Sequence, residues 1–270
     1  MKMFDLGAIG TGHMGMAVLE QVAAQWDNVG ILVYEIDAER RKKAKLKGFT
    51  AAGSESEVYA NSQILLLAVP PQACEELLSK LAISAQRLDE KQEHKPVILS
   101  IMAGISANYI RGHLGADTAV ITVMPTLGMR TGQGAAAIAH TDNVPDPVLS
   151  QIVKVFSQTG EAVIVEEPLL KEIVAVNGCM PGYVFYLLDA FAKGAKGVDY
   201  NTAARMAARG FIGAANEVLA GSDPKELLAE VCTPGGLTAQ GVLSFEKNQI
   251  ANLLAEGMDE SIRRGYEIGK

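Results

Sequence analysis

Cysteine and histidine are scarce in this chain of 270 residues, which has three Cys and four His. Cys74, Cys179 and Cys232 form no Cys-x-x-Cys pair and share no metal-ligand spacing with a histidine, so no metal site is expected. An odd, sparse thiol count fits a reducing compartment better than a disulfide framework. No apolar run approaches the roughly 18 residues of a membrane span. The opening MKMFDLGAIG lacks a signal-type apolar core followed by a small-residue cleavage site. The net charge is -7, and the one dense cationic run, ERRKKAKLK (Glu39–Lys47), reads as a solvated helix face. Neither a nucleic-acid nor a membrane partner is therefore expected, and the protein is expected to be cytoplasmic. A convincing His, Cys or paired-carboxylate catalytic group is also missing. His13 falls in a glycine turn, His94, His113 and His140 in polar segments expected at the surface, and Cys179 and Cys232 read as small packing groups.

What the chain does have, in its first half, is alternation. Short apolar runs at 3–9, 31–36, 63–69, 97–101 and 119–124 are separated by helix-compatible segments such as Gly15–Gln25, Ala38–Lys47 and Pro71–Leu81. Strands that are apolar throughout, spaced by helices, indicate a parallel sheet covered on both faces. Two more runs, 135–139 and 162–165, are expected to extend it. After Val165 the strand signal ends and helix follows helix. The fold class expected is α/β: an N-terminal doubly wound parallel sheet over residues 1–165, then an all-helical domain over 166–270. The Ala- and Gly-rich segment 202–220 suits close helix packing, within the chain or against another subunit.

The first strand runs into GAIGTGHMG, which contains Gly10-x-Gly12-x-x-Gly15 and opens a helix. In such a turn the first glycine allows the tight bend, the second a close approach of pyrophosphate, and the third close helix–strand packing. The helix amides then face the anion, which is how an acidic protein can hold an anionic cofactor. This is a Rossmann dinucleotide signature, with Ile9, Gly10, Thr11, Gly12, His13 and Met14 as its loop. Glu35 stands 20 residues after Gly15, where an acid binds the adenosine ribose hydroxyls and repels a 2′-phosphate. It favours NADH over NADPH, although Arg40 and Arg41 could reach a phosphate. Ala68, Val69 and Pro70, at the end of another strand, are expected to form a second wall of the cofactor crevice.

Two breaks interrupt the helical half. NGCMPGYVF (Asn177–Phe185) interrupts the helix opened at Pro168, as a packing kink or as a bend around something small. VCTPGGLT (Val231–Thr238) reads as a helix start with Thr233 as N-cap and Pro234 in the first turn. The amides of Gly235, Gly236 and Leu237, with the hydroxyls of Thr233 and Thr238, would form a cap for a carboxylate.

These blocks, together with LLLAVPPQ, SIMAGIS, VMPTLG and GEAVIVEE, carry a resemblance. The chain resembles the pyrroline-5-carboxylate reductase family along nearly its whole length. The resemblance implies a Rossmann domain followed by a helical domain that forms an intertwined homodimer, assembled into decamers in several members. It implies NADH or NADPH as cofactor and a small cyclic imine carboxylate as substrate. It implies that Thr233, the amides of Gly236 and Leu237, and Thr238 hold the substrate carboxylate, with Thr238 beside the ring nitrogen as the catalytic group. Met124, Pro125, Thr126 and Cys179 complete the implied substrate pocket. The chain departs from the family's pattern at Pro70, Thr126, Cys179, Met180, Gly182 and Cys232, which surround both pockets. A reductase of a related cyclic imine and a non-catalytic dinucleotide sensor therefore stay open as alternatives. A hydroxyacid dehydrogenase is disfavoured, because Lys171 and Asn177 are six residues apart and fall on different faces of a regular helix.

Overall fold

The computed structural model describes residues 3–91 and 94–268. Among these, eight strands form one sheet: β1 (Phe4–Ile9), β2 (Ile31–Tyr34), β3 (Thr50–Ala51), β4 (Ser62–Leu67), β5 (Val97–Ser100), β6 (Val120–Pro125), β7 (Gly134–His140) and β8 (Gly160–Ile164). Their order is β3-β2-β1-β4-β5-β6-β7-β8, so the winding reverses between β1 and β4. The strands from β3 to β6 are parallel. β7 extends the sheet as expected but runs antiparallel to β6. Only residues 126–133 join the two, and a parallel crossover needs about a dozen residues or more.

The apolar runs are continuous because both faces of the sheet are covered. Leu6, Ala8, Ile64, Leu66 and Leu99 enter the core on one face, beneath α1 (His13–Gln25), α2 (Ala38–Leu46) and α6 (Asp146–Ser157). Ile9, Leu65, Leu67 and Ile98 enter the core on the other, beneath α3 (Glu55–Ala60), α4 (Cys74–Lys91) and α5 (Ala107–Leu114). Each fully buried Leu contributes about 1.5–3 kcal/mol. The helix expected from Pro71 begins instead with a 3-10 turn (Pro71–Ala73). α4 proper then buries Cys74, Leu77, Leu78, Leu81, Ala85 and Leu88 at helical spacing. β3 and α3 lie outside the expected elements: the strand has two residues, and the helix is held by Ser54, whose hydroxyl accepts the Glu57 amide at 3.2 Å.

The second half supplies α7 (Leu169–Ile173), α8 (Met180–Gly194), α9 (Tyr200–Leu219), α10 (Pro224–Val231), α11 (Leu237–Lys247) and α12 (Ile250–Glu267). NGCMPGYVF is not a kink in one helix. α7 ends after five residues, and α8 starts anew at Met180 with Pro181 in its first turn, where a missing amide hydrogen costs nothing.

Packing divides the chain into two compact units. One is built on residues up to Gly178 together with those from Ser261 onward; the other is Cys179–Glu260. In the first, α7 docks on the sheet through Leu170, which packs on Ala137 and Ala139. Glu167 accepts the Ala107 amide at the start of α5, and Tyr266 donates to Glu172 at 2.6 Å. Lys171 lies half-buried with its ammonium 4.9 Å from the Tyr266 ring centroid. In the second unit α8 packs on α9, with Phe191 edge-on to Phe211 at 6.0 Å. Its large apolar residues remain widely exposed, among them Tyr186 (76 %), Met206 (69 %) and Leu219 (70 %).

Candidate active site

The crevice lies where a doubly wound sheet puts it, at the carboxyl ends of the strands beside the β1/β4 reversal. It is a cavity of about 620 Å³, within the range of cofactor sites. Ile9, Gly10, Gly12, His13, Met14, Glu35, Ala68, Val69 and Pro70 all line it. Thr11, expected with them, is buried beneath the turn and does not line this cavity. Sequence reasoning missed Ile36, Asp37, Lys80, Ile101 and Ala103, which also line it. Ile101 and Ala103 stand just after β5, and strand-end position is the one signal that could have found them. A second cavity of about 670 Å³ opens at the other end of the sheet, beside Trp26 and His94, but it has no glycine turn.

The three glycines do different work. Gly10 has φ +92, and a Cβ there would lie 2.6 Å from the Ala68 carbonyl oxygen. A Cβ on Gly15 would lie 2.5 Å from the Gly10 carbonyl oxygen. Those two pack the turn against β4 and α1. Gly12 is open, its nearest neighbour being Arg40 Nη1 at 3.8 Å from the Cβ position. It is the N-cap of α1 and makes no side-chain cap bond, so the first helical amides, from His13 onward, point out without intrahelical partners. The residues present fit the pyrophosphate of a nicotinamide dinucleotide: an approachable backbone, a helix amino terminus and no cap already in place.

Glu35 is 5 % exposed and sits under this turn. One carboxylate oxygen accepts both the Thr11 amide (2.7 Å) and the Thr11 hydroxyl (2.9 Å), and the other accepts the Asp37 amide (3.0 Å). Arg41 folds back to donate to the Glu35 carbonyl at 3.0 Å, which takes it away from the crevice. Arg40 remains at the crevice mouth. At the far end Lys80 pairs with Glu76 (2.8 Å) and Glu55 (3.4 Å).

The implied substrate residues fall in different places. Met124 and Pro125 end β6, half-buried. Asn177 clamps that end, its Nδ2 donating to the Met124 carbonyl at 2.6 Å. Thr126 is buried, and its hydroxyl is engaged with β7, accepting the Ala135 amide at 2.9 Å. Cys179 is half-buried at the start of α8.

In the second unit, VCTPGGLT is a turn followed by a helix, and Thr233 is not the N-cap. The Gly236 amide donates to the Thr233 carbonyl at 2.8 Å, with Pro234 second and Gly235, at φ +75, third in the turn. That is the pattern of a type II turn. The N-cap of α11 is Gly236, with no side-chain cap bond. The Gly236 amide is therefore already spent, which corrects its expected place in the cap. The amides of Leu237 and Thr238 lie in the first turn of α11. A Cβ on Gly236 would lie 2.5 Å from Thr233 Oγ1, so the hydroxyl packs on that glycine. Thr233 and Thr238 are both exposed.

The histidines divide. His13, His94 and His140 are exposed; His113 is half-buried, with its ring centroid 4.9 Å from that of Tyr109. Among the described residues no group of three or more His, Cys, Asp or Glu is arranged to hold a metal ion. No helix among them is long and apolar enough to cross a membrane.

Comparison with known proteins bears on both halves. Residues 167–268 match the family model for pyrroline-5-carboxylate reductase dimerisation, and residues 5–104 match that for NADP oxidoreductase, coenzyme F420-dependent. Pyrroline-5-carboxylate reductases of Synechocystis sp. and Methanosarcina acetivorans are each 31 % identical, over 98 % of this chain and 98 % of theirs. The fold is that of Plasmodium falciparum pyrroline carboxylate reductase with NADP bound (TM-score 0.86, 20 % identity, all of both chains covered). Sequence relatedness at that level, running from end to end, together with a dimerisation-domain match over the helical half, means that the chain belongs to the pyrroline-5-carboxylate reductase family.

Proposed function

We propose that this protein reduces Δ1-pyrroline-5-carboxylate to L-proline with NADH or NADPH. The observation that carries this reading is the open Gly12 turn at the start of α1, on a chain related end to end to such reductases. Gly12 and the first amides of α1 hold the pyrophosphate, and Glu35 holds the adenosine ribose. When bound, the reduced dinucleotide supplies a hydride to the imine carbon. The hydroxyls of Thr233 and Thr238, with the Leu237 and Thr238 amides, hold the substrate carboxylate. The Thr238 hydroxyl stands by the ring nitrogen, which takes a proton from water as the C=N bond is reduced. Catalysis is then chiefly alignment, which can be worth about 7–11 kcal/mol. Glu35 favours NADH.

The engagement of Thr126 with β7 and the other departures around the pocket favour one second reading, reduction of a related cyclic imine carboxylate. Purified protein mixed with NADH or NADPH and a panel of cyclic imines, followed at the nicotinamide absorbance band, tests both. Turnover of pyrroline-5-carboxylate above the others is the expected result. Turnover only of another imine supports the second reading, and cofactor binding without any turnover leaves a dinucleotide sensor.

The functional division falls at residues 165/166, with the helical part serving a cytoplasmic homodimer. The exposed apolar side chains of α8 and α9 support a second copy as their cover. Mass photometry separates that dimer from the decamer of five dimers.

A further inference from the structure

Between β5 and α5 the chain passes along the crevice, with Ile101 and Ala103 lining it. Their neighbours Met102 and Ile105 turn into the core, at 2 % and 4 % exposure. Gly104 lies among them at φ +78, and it has no room for a side chain. A Cβ there would be 2.8 Å from Cγ2 and 2.9 Å from Cβ of Ile268, the residue that follows α12. Ile268 also packs on the core cluster that holds Met102 and Ile105. Behind it the end of α12 is fastened twice more, by the Tyr266 hydroxyl on Glu172 (2.6 Å) and by the Lys171 ammonium over the Tyr266 ring. Gly265 faces Val174, whose Cγ1 would lie 3.8 Å from a Cβ at that position.

We infer that Ile268, seated against Gly104, is a positioning residue for the nicotinamide half of the cofactor. This rests on the crevice being the dinucleotide site. A dinucleotide at a doubly wound sheet straddles the switch point. Its adenosine half faces β2 and Glu35, so its other half faces the ends of β4 and β5, where Ala103 stands. A glycine with positive φ leaves its loop many conformations unless packing selects one. Here the selecting contact comes from the far end of the chain. A displacement of about 1 Å at a reacting group can cost roughly a hundredfold in rate. The contact has no corresponding reach to the adenosine half.

The test is Ile268→Ala in the full chain, with Tyr266→Phe as a milder second variant and Ile268→Val as the conservative rescue. Three quantities are read: kcat, KM for NADH, and the inhibition constant of ADP, which carries the adenosine and pyrophosphate and no part of the nicotinamide riboside. Ile268→Ala is expected to lower kcat about tenfold or raise the NADH KM severalfold, with ADP inhibition unchanged within twofold. Tyr266→Phe should move the same parameter by less, and Ile268→Val should restore most of it. The inference is overturned if Ile268→Ala leaves kcat and KM within twofold of wild type, or if ADP inhibition weakens in step with KM. A wild-type protein that neither binds nor oxidises NADH would fail the crevice reading itself; one that turns over normally beside an indifferent Ile268→Ala fails this inference alone.

Discussion

Thr11 gives both its amide and its hydroxyl hydrogen to one oxygen of Glu35, at 2.7 and 2.9 Å, so the acid at the end of β2 braces the glycine turn from beneath. The ribose role proposed for Glu35 would be a second task, and substitution separates the two. Glu35→Ser removes a buried, charged acceptor and should lower stability by about 1.5–3 kcal/mol. If Glu35 also binds the ribose, the NADH KM rises tenfold or more while NADPH use improves relative to it. Thermal melts and Michaelis constants with both cofactors read the two effects. An equal loss for NADH and NADPH would leave Glu35 as a brace only. Thr11→Val, which keeps the amide bond, should cost about 1 kcal/mol with little effect on cofactor choice.

The glycines of the turn should fail in distinguishable ways. Gly10→Ala puts a methyl group 2.6 Å from a backbone oxygen and a side chain at φ +92. It is expected to destabilise the fold by about 1–3 kcal/mol and to abolish cofactor binding. Gly12→Ala meets nothing closer than Arg40 Nη1 at 3.8 Å. It should melt like the wild type yet raise the cofactor KM at least tenfold, because the methyl stands where the pyrophosphate approaches. Melting curves paired with cofactor titrations check this, and a wild-type KM for Gly12→Ala would remove the pyrophosphate from that position.

The alternation of strand and helix was legible because a parallel sheet buried on both faces leaves its strands apolar throughout, as the run from Ile64 to Leu67 in β4 is. The glycine turn was legible because its spacing is set by sterics that few other residues satisfy. β3 was not, since two residues, Thr50 and Ala51, make no pattern. The reversal at β7 depends on the length of a connection, not on the composition of a strand. At Thr233 a threonine before proline is a sound N-cap signal, but Gly235 at φ +75 lets the chain close a turn first and moves the N-cap on to Gly236. Ile268 and Gly104 are 164 positions apart, and no local pattern announces such a contact.

That turn yields a third prediction. Gly235→Ala forces a side chain into the left-handed region at a cost of roughly 1–2 kcal/mol. It should re-aim the Leu237 and Thr238 amides, raising the imine KM severalfold and leaving the cofactor KM unchanged. Thr238→Ala removes one hydroxyl without touching the turn. Loss of a hydrogen bond to a charged group, about 1.5–3 kcal/mol, corresponds to a fall in kcat/KM of roughly ten- to a hundredfold. Steady-state kinetics with each substrate varied in turn read both variants, and a cofactor KM that moves with the imine KM would count against a carboxylate role for the turn.

The three thiols should differ in reactivity. Cys74 is 1 % exposed at the start of α4, and burial, with the charge of Glu75 beside it, pushes its thiol up to about 11. Burial disfavours the thiolate, so the folded value lies above the unfolded one. The stability tied to the neutral thiol is complete below the unfolded value and fades as pH rises through the folded value. At pH 8 the folded protein should therefore leave Cys74 unmodified by iodoacetamide, because the thiolate is the nucleophile and almost none forms there. In urea all three cysteines should be alkylated. Peptide mapping of the folded, treated enzyme checks this, and any inactivation should map to Cys179 or Cys232, which are half-buried in the second unit. Rapid modification of Cys74 at pH 8 would mean that the start of α4, which carries Leu77 into the crevice wall, opens far more readily than its packing implies.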